Sequence, residues 1–313
     1  MKVLTFFLSP ILLFANTWQE HLDSIKADAI AEGVRPEIIL TAIQKAKQPR
    51  TIVKKLEKKQ PEKRITFNEY RSSRIDSYRI HIGKKAMKNN AQLLNEIAKR
   101  YQVDPGIVIA IWGIETSYGH FKGKHPVIPA LATLSFSSSR KDFFHRELMY
   151  AFKIVNEGHV KLDEFVGEWA GGSGHPQFLP SSWNYYSEDF DGDGRRDIWN
   201  HKADALASIA NYLKQHNWQF KQPWGTEVII DNSKVTYDKL KTWKTVREWR
   251  KQGVVPIKGQ EMADDDVKAA VLIYKEGPKY LVYQNFKSIM SYNRSTFYAG
   301  AVGYLFNSIR KPA

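Results

Sequence analysis

The sequence predicts a mainly helical fold of the α+β class, with a small β element inserted towards the C-terminal end. Apolar residues recur at helical spacing over residues 18–47 and in several later segments. After Trp218 the composition instead becomes typical of short strands. The chain has 313 residues, of which 42% are hydrophobic and 13% aromatic, and this is enough apolar material for two packed subdomains.

Composition excludes several classes of protein. Cysteine is absent, which excludes a disulfide scaffold, cysteine-ligated metal sites, a thiol nucleophile and a cysteine-linked lipid anchor. The formal net charge of +14 favours an acidic partner. Nucleic acid is not the expected partner, because the basic residues are scattered and form no recognised nucleic-acid motif.

Residues 1–15 have the pattern of a signal peptide. Lys2 precedes an apolar run over residues 3–14, and Ala15 offers a small residue before the cleavage point. We therefore expect an exported, periplasmic protein that is soluble after cleavage. An uncleaved N-terminal anchor is the alternative, because Leu13 is larger than a cleavage site prefers.

Residues 16–68 are predicted to form an N-terminal helical segment. Gly33 and Pro36 mark a turn between two short helices. Residues 45–64 then carry nine basic side chains against two acidic ones. We interpret this stretch as a linker with a solvated helix face, and a contact with a polyanion is the alternative.

Residues 69–217 are predicted to form the core, built on a central helix. Asp104 and Pro105 supply an N-cap and a first-turn proline. Residues 107–112 are apolar on every face, so we expect a buried helix that ends near Gly119. Further helices are predicted over residues 67–100, 142–157 and 204–216, with loops over 122–132 and 167–180.

Residues 218–284 are predicted to form a small antiparallel β domain. Strand composition occurs near residues 227–230, 269–274 and 280–284, and Gly277 with Pro278 predicts the last turn. Residues 285–313 return to a helical pattern and predict a C-terminal helix that packs back on the core.

Glu115 is the first candidate for chemistry, because it lies at the end of the most apolar helix. Apolar surroundings and the partial negative charge of a helix C-terminus both raise the pKa of a carboxyl group. A carboxylic acid that stays protonated near neutral pH can protonate the leaving oxygen of a glycosidic bond. A structural glutamate that hydrogen-bonds the helix end is the alternative.

Several motifs follow one another in order over nearly the whole chain beyond residue 15. They are Trp112-Gly-Ile-Glu115-Thr-Ser-Tyr-Gly119, Ala132-Thr-Leu-Ser-Phe136, Arg140, Trp169-Ala-Gly171, Gln177-Phe-Leu-Pro-Ser-Ser182, Asp189-Phe-Asp-Gly-Asp-Gly194, Ile209-Ala-Asn-Tyr-Leu213, Tyr292-Asn-Arg-Ser295 and Tyr298-Ala299. This series resembles the lytic murein transglycosylase B family, which is glycoside hydrolase family 103.

The resemblance implies a lysozyme-like helical core and cleavage of the bond between N-acetylmuramic acid and N-acetylglucosamine in peptidoglycan. It implies that Glu115 acts as general acid and then as the base that lets the muramic C6 hydroxyl attack its own C1. The product is a 1,6-anhydromuramic end, and neither water nor a cofactor takes part. One carboxylate suffices because the substrate supplies the nucleophile. The resemblance leaves open whether other cell-wall enzymes bind this protein as partners.

The same resemblance implies a sugar-binding cleft lined by aromatic and amide side chains. Aromatic rings stack on the flat faces of sugars, and amides bond to their polar edges. The expected cleft residues are Tyr70, Gln177, Phe178, Tyr212, Tyr292, Asn293 and Tyr298. Arg140 matches a family arginine and is expected to contact a muramic lactyl or peptide carboxylate. For any single tyrosine, core packing is the alternative.

Two positions depart from the family pattern close to the expected cleft. Glu168 stands where serine is common, and His175 with Pro176 stands where a Tyr-Gly pair is usual. We expect Glu168 to contact the saccharide. It also opens one alternative, a peptidoglycan hydrolase (muramidase) in which Glu168 is the second carboxylate and activates water. A non-catalytic cell-wall-binding protein is a further alternative that uses the same cleft.

Residues 189–197 resemble the front half of an EF-hand calcium loop, although position 12 is Asn200 and not the usual glutamate. The expected ligands are Asp189, Asp191, Asp193, the carbonyl of Arg195, and Asp204 at the start of the next helix. We expect a structural Ca²⁺ here. An acidic turn that is capped by its own aspartates is the alternative.

Overall fold

The structure is a computed structural model that describes residues 17–57, 65–231, 235 and 237–310. The predicted signal peptide, residues 1–15, and the end of the basic stretch lie outside these ranges. Among the helices of the described residues, none has the length and apolar character that a membrane crossing requires.

The described part of the N-terminal segment contains three helices, α1 (Trp18–Ala31), α2 (Pro36–Lys45) and α3 (Thr51–Glu57). Thr17 begins α1 with a capping box, in which its hydroxyl accepts from the backbone N–H of Glu20 and the Glu20 carboxylate accepts in return. Gly33 has a φ of 81° and forms the predicted turn before α2. The pair of helices around Gly33 is therefore confirmed.

Residues 67–116 form four helices, α4 (Phe67–Arg74), α5 (Ser77–Asn89), α6 (Ala91–Tyr101) and α7 (Pro105–Thr116). The helical stretch predicted over residues 67–100 is therefore divided into three. Asp76 explains the first break, because its carboxylate accepts from the backbone N–H of Arg79 at 2.7 Å and begins a new helix. Asn90 ends α5 and is also the N-cap of α6.

Helix α7 is the buried central helix that the sequence predicts. The Asp104 carboxylate accepts from the backbone N–H of Gly106 at 2.8 Å, which confirms the predicted start. Residues 106–113 are all buried.

The predicted end of α7 near Gly119 is wrong by a few residues. The helix ends at Thr116, because Ser117 and Tyr118 already have positive φ angles of 49° and 61°. The guanidinium of Arg79 donates to the Ser117 hydroxyl at 2.6 Å and to a carbonyl of the last helical turn at 3.2 Å. These bonds satisfy groups that a helix end otherwise leaves unpaired.

The middle of the chain contains a short strand pair and four helices within residues 125–215. They are β1 (His125–Pro126), α8 (Val127–Ser137), α9 (Lys141–Asn156), β2 (Val166–Gly167), α10 (Pro180–Tyr186) and α11 (Lys202–Gln215). Strands β1 and β2 pair antiparallel. Helix α8 corrects the loop predicted over residues 122–132. Residues 127–135 are buried on every side, so the segment lacks the one-sided apolar pattern that reveals a surface helix.

The described residues between 225 and 282 form the small β domain. Its elements are β3 (Gly225–Ile229), β4 (Lys244–Thr245), α12 (Val246–Lys251), β5 (Val255–Pro256), β6 (Lys268–Ile273) and β7 (Lys279–Val282). The strands form one sheet in the order β4-β6-β7-β3-β5, and each pair is antiparallel. Strands β6 and β7 form the predicted hairpin, with Val271 opposite Leu281. The antiparallel β element is confirmed.

The C-terminal helix predicted over residues 285–313 is two helices in the described part, α13 (Gln284–Tyr292) and α14 (Thr296–Arg310). The chain bends between them at Asn293, which has extended backbone angles. Helix α14 packs along α7 in the largest hydrophobic core. A second core joins α1, α2 and α3 to α8 and α9, and Tyr292 packs against both cores.

Candidate active site

Glu115 lies in the last turn of α7, and part of its surface stays open to solvent. Tyr298, in the first turn of α14, donates its hydroxyl to Oε1 of Glu115 at 2.5 Å. The packing of α14 along α7 brings these two side chains together, although they are 183 residues apart in the chain.

Burial raises the pKa of Glu115 from its ordinary value of 4.5 to about 7. The hydrogen bond from Tyr298 and the charge of Arg74 oppose this effect, and the charge of Glu168 adds to it. A large fraction of the carboxyl group is therefore protonated near neutral pH. Such a group can give a proton to a bound molecule and take one back.

Tyr292 and Tyr298 form an aromatic wall beside Glu115. Their rings are nearly parallel, with an angle of 11° between the planes and 6.3 Å between the centroids. Burial and the charge of Glu115 raise the pKa of both hydroxyls well above the ordinary range. Both hydroxyls therefore stay protonated and act as hydrogen-bond donors.

Tyr212 and Phe178 extend and support this wall. The ring of Tyr212 lies 4.8 Å from that of Tyr292, and its hydroxyl donates to the carbonyl of Ser291 at 2.6 Å. The hydroxyl of Tyr292 donates to the carbonyl of Pro176 at 2.6 Å. Phe178 is only 2% exposed and packs behind both tyrosines. This burial leaves Phe178 little free face for the stacking on sugar that the sequence suggested.

Gln177 has a left-handed backbone (φ 52°) in the turn before α10. Its Nε2 donates to the carbonyls of Gly174 at 2.8 Å and Lys122 at 3.2 Å. Its Oε1 is buried and has no hydrogen-bond partner among the described residues. Buried polar atoms are normally bonded, so this oxygen is suited to accept a hydrogen bond from a ligand.

Tyr70 and Asn293 lie next to the same group of residues. Tyr70 is buried, with the guanidinium of Arg74 3.8 Å from its ring centroid, and it acts electrostatically on Tyr298. Asn293 is exposed and directly follows Tyr292 at the end of α13. Their contacts with a sugar stay predictions.

Glu168 is exposed in the turn that follows β2. Its backbone N–H donates to the carbonyl of Gly172 at 2.7 Å, and its carbonyl accepts from Gly171 at 3.0 Å. Its charge raises the pKa of Glu115. Glu168 therefore lies close enough to Glu115 for its charge to act on that carboxyl group.

Arg140 is exposed at the start of α9, and its guanidinium lies 4.2 Å from the ring centroid of Phe143. Among the described contacts, none joins Arg140 to Glu115 or to the tyrosine wall. Its predicted bond with a substrate carboxylate stays a prediction.

His175, which departs from the family pattern in the sequence, braces the end of α7 in the structure. Its Nδ1 accepts from the indole N–H of Trp112 at 2.9 Å, and its carbonyl accepts from the Thr116 hydroxyl at 3.1 Å. Burial lowers the pKa of His175 to about 4, so the ring is neutral at pH 7 and able to accept. A Cβ atom at Gly119 would lie 2.4 Å from this ring, which explains the glycine there.

The acidic loop brings two overlapping sets of ligand atoms together. Carboxylate oxygens of Asp189, Asp191 and Asp193 lie within 4.8 Å of one another, and so do ligand atoms of Asp191, His201 and Asp204. Oxygen atoms grouped in this way suit a hard cation such as Ca²⁺. The first set consists of the three aspartates that the sequence predicts as ligands.

The carboxylate of Asp204 already accepts two hydrogen bonds within the protein, which the sequence does not predict. It is buried, and its oxygens accept from the backbone N–H groups of Phe190 at 2.9 Å and Asp197 at 2.8 Å. His201 lies 3.3 Å from both Asp204 and Asp191. A cation bound here would therefore use the second lone pairs of the Asp204 oxygens.

The mostly helical fold with small antiparallel sheets matches the lysozyme-like folds of lytic transglycosylases. The family model described as "Transglycosylase SLT domain" matches residues 17–307 of this chain. The chain belongs to this family, so the family predicted from the motifs is confirmed.

Individual relatives agree with this assignment. Membrane-bound lytic murein transglycosylase B of Escherichia coli (strain K12) is 31% identical over 247 residues, which is 77% of this chain and 66% of that protein. The chain thus spans slightly less than two thirds of this relative. SltB3 from Pseudomonas aeruginosa, solved in complex with NAG-anhNAM-pentapeptide, has a TM-score of 0.88 at 36% identity and covers 94% of this chain and 80% of its own. Escherichia coli Slt35, solved in complex with calcium, has a TM-score of 0.80 at 27% identity and covers 92% of each chain.

Proposed function

We propose that this protein is a peptidoglycan lytic transglycosylase, which cleaves the bond between N-acetylmuramic acid and N-acetylglucosamine and leaves a 1,6-anhydromuramic end. The observation that carries the proposal is Glu115, whose carboxyl group has a pKa of about 7 and accepts a hydrogen bond from Tyr298. The relatives support it, because they are lytic transglycosylases and one of them binds a NAG-anhNAM-pentapeptide.

Glu115 serves both proton transfers of this reaction. In its protonated form it gives a proton to the oxygen that leaves with N-acetylglucosamine, while the bond from that oxygen to muramic C1 breaks. The carboxylate then takes the proton of the muramic C6 hydroxyl as that oxygen bonds to C1. The two transfers balance, and a pKa near the working pH suits a group that must be first acid and then base.

The surrounding side chains hold the sugar and the carboxyl group. The hydroxyl of Tyr298 fixes Oε1 of Glu115 and stabilises its ionised form after the first transfer. The unpaired Oε1 of Gln177 is suited to accept from an acetamido N–H. The half-buried ring of Tyr292 offers aromatic surface to the sugar ring, whereas Tyr298 is only 3% exposed and acts through its hydroxyl.

The substitution Glu115→Gln tests this function. The amide has the same shape but cannot donate and recover a proton, so turnover of purified sacculi should fall by about a hundred- to ten-thousand-fold. Binding to sacculi and folding should persist. Mass spectrometry of the released anhydromuropeptides measures the loss, and Glu96→Gln, which changes an exposed glutamate on α6, is the matched control. Activity of Glu115→Gln within a few-fold of wild type would remove this residue from the mechanism.

Glu168 favours a second candidate function, hydrolysis. A retaining hydrolase needs two carboxyl groups about 5–5.5 Å apart, and an inverting one about 6.5–9.5 Å. The charge of Glu168 does act on Glu115. We nevertheless favour transglycosylation, because the relatives of this chain are lytic transglycosylases and one of them binds a NAG-anhNAM-pentapeptide. In this proposal Glu168 adjusts saccharide contacts and the pKa of Glu115.

The acidic loop and the location of the protein belong to the same proposal. Three converging carboxylates support a structural Ca²⁺, as does the calcium in the related Slt35 structure. The cation would stabilise the loop before α11 and take no part in catalysis. The apolar run over residues 3–14 and a peptidoglycan substrate support export to the periplasm.

A further inference from the structure

The two most exposed aromatic side chains of the described residues line one cavity. Tyr78 is 69% exposed and Phe121 is 73% exposed, more than any other large hydrophobic side chain in the described ranges. They lie on a cavity of about 350 Å³ between the start of α5 and the turn that follows α7. Single exposed apolar residues need no explanation, whereas a cluster of them marks a binding surface.

Polar groups surround these two rings. Asp76, Arg79 and His120 line the same cavity, and Ser117 forms part of its floor. Aromatic faces with hydrogen-bonding groups at their edges match the flat C–H faces and hydroxyl edges of a saccharide ring. Asp76 already accepts from the backbone N–H of Arg79, and Arg79 already donates to the Ser117 hydroxyl, so a saccharide would use the hydrogen-bonding capacity that these groups have left.

One side of the cavity is formed by near neighbours of Glu115 and Arg74 in the chain. Asp76 follows Arg74 by two residues, and the charge of Arg74 lowers the pKa of Glu115. The floor residue Ser117 follows Glu115 by two residues, and Arg79 donates to its hydroxyl at 2.6 Å. The start of α5 is therefore fixed against the end of the catalytic helix.

Phe121, on another side of the cavity, is a near neighbour in the chain of Gly123, which packs on the turn that carries Glu168. Gly123, two residues after Phe121, packs so closely on the turn after β2 that a Cβ atom there would lie 2.1 Å from the carbonyl carbon of Gly167 and 2.6 Å from the nitrogen of Glu168. Residues that line the cavity are thus near neighbours in the chain of Arg74, Glu115 and the turn that carries Glu168.

We propose that this cavity is an additional saccharide subsite, in which Tyr78 and Phe121 hold a hexosamine ring of the same glycan strand that is cleaved at Glu115. This inference rests on the proposed function. The subsite binds the strand away from the reacting bond, so it strengthens the binding of long strands and leaves the chemical step unchanged.

The test compares kcat/KM on long glycan strands and on the shortest oligosaccharide that the enzyme cleaves. Tyr78→Ala and Phe121→Ala should each lower kcat/KM on long strands by about two- to tenfold, which is the usual size of one stacking contact. On the short substrate the effect should be smaller than twofold, and the products should keep their anhydromuramic ends. Tyr78→Phe keeps the ring and should behave as wild type.

Tyr185→Ala is the matched control, because Tyr185 is 63% exposed but lies on α10, where its hydroxyl contacts Tyr150. It should leave both substrates unaffected. An equal loss on short and long substrates, or no loss on either, overturns the subsite. Unchanged glycan kinetics with weaker binding of a second protein would show instead that the cavity docks a partner. Failure of the proposed function is distinguishable, since wild type itself would then release no anhydromuramic ends.

Discussion

Tyr298 controls how Glu115 ionises, and this can be measured. Its hydroxyl stabilises the carboxylate, so Tyr298→Phe should raise the pKa of Glu115 above its value of about 7. Because kcat/KM requires the protonated acid in the free enzyme, the alkaline limb of its pH profile should move to higher pH. The value of kcat should fall, since the carboxyl group loses its anchor.

Two further substitutions serve as controls for this profile. Tyr212→Phe removes a hydroxyl that bonds to the carbonyl of Ser291 and should not move the limb. Glu168→Gln removes a charge that raises the pKa of Glu115 and should move the limb to lower pH. The alkaline limb of kcat/KM in Tyr298→Phe could instead stay fixed or move to lower pH. Either result would show that the hydroxyl of Tyr298 does not stabilise the carboxylate of Glu115.

Glu115 also reduces the stability of the folded protein at neutral pH. Its folded pKa of about 7 exceeds the ordinary value of 4.5, so folding disfavours the ionised form. Below pH about 4.5 Glu115 is protonated in both the folded and the unfolded protein, so it does not change the free energy of unfolding. As the pH rises to about 7 its ionisation lowers the free energy of unfolding, and above about 7 this loss is complete. Glu115→Gln should therefore raise the free energy of unfolding by about 1–3 kcal/mol at pH 8 and change it little at pH 4. Denaturant unfolding at both pH values measures this, and an equal effect at the two would contradict the shifted pKa.

The sequence indicates Glu115 as the candidate for proton transfer but does not indicate the contacts that hold it. Glu115 was recognisable because an acidic residue ends an otherwise apolar helix. Tyr298 was expected to line the cleft, but its bond to Glu115 joins residues 183 positions apart. The bond between Trp112 and His175 likewise spans 63 positions. Such pairs depend on how helices pack, which local patterns do not contain.

Helices with one buried face can be predicted from the spacing of their apolar residues. Helices that are buried on all sides are harder to recognise in the sequence. Helices α1 and α2 show their apolar spacing plainly. The sequence predicts a loop over part of helix α8, because its residues are buried all round and carry no polar face. The break before α5 depends on Asp76, an N-cap that the sequence contained but that the prediction did not use.

The acidic loop should bind Ca²⁺ and become more stable when it does. Calcium in millimolar excess should raise the melting temperature, and a chelator should reverse this, with a stabilisation of about 2.7 kcal/mol at a hundredfold excess over Kd. Asp193→Asn should weaken binding measured by calorimetry, because it removes a charged ligand and keeps an oxygen that accepts from the backbone N–H of Arg195. Asp23→Asn, at an exposed aspartate of α1, is the control. If calorimetry shows no heat of binding and the melting temperature does not shift, the loop is only a turn that is capped by its own aspartates.

At the scale of the whole molecule, the site lies where two hydrophobic cores meet. Tyr292 packs against both the core around α7 and the core around α8 and α9. The mainly helical class and the small β domain followed from composition and periodicity, whereas the lysozyme-like arrangement came from the resemblance of spaced motifs. The relative placement of the two cores could not be read from the sequence, because it depends on side-chain packing between distant elements.

In the proposed reaction the C6 hydroxyl of the substrate, and not water, attacks muramic C1. The most direct test is the digestion of peptidoglycan by the wild-type protein in ¹⁸O-labelled water, followed by mass spectrometry of the new ends. We predict 1,6-anhydromuramic ends without ¹⁸O, both for wild type and, at a modestly altered rate, for Glu168→Ser. Reducing muramic ends that carry ¹⁸O in wild type and disappear in Glu168→Ser would contradict the account, and would show that Glu168 activates water in a hydrolase.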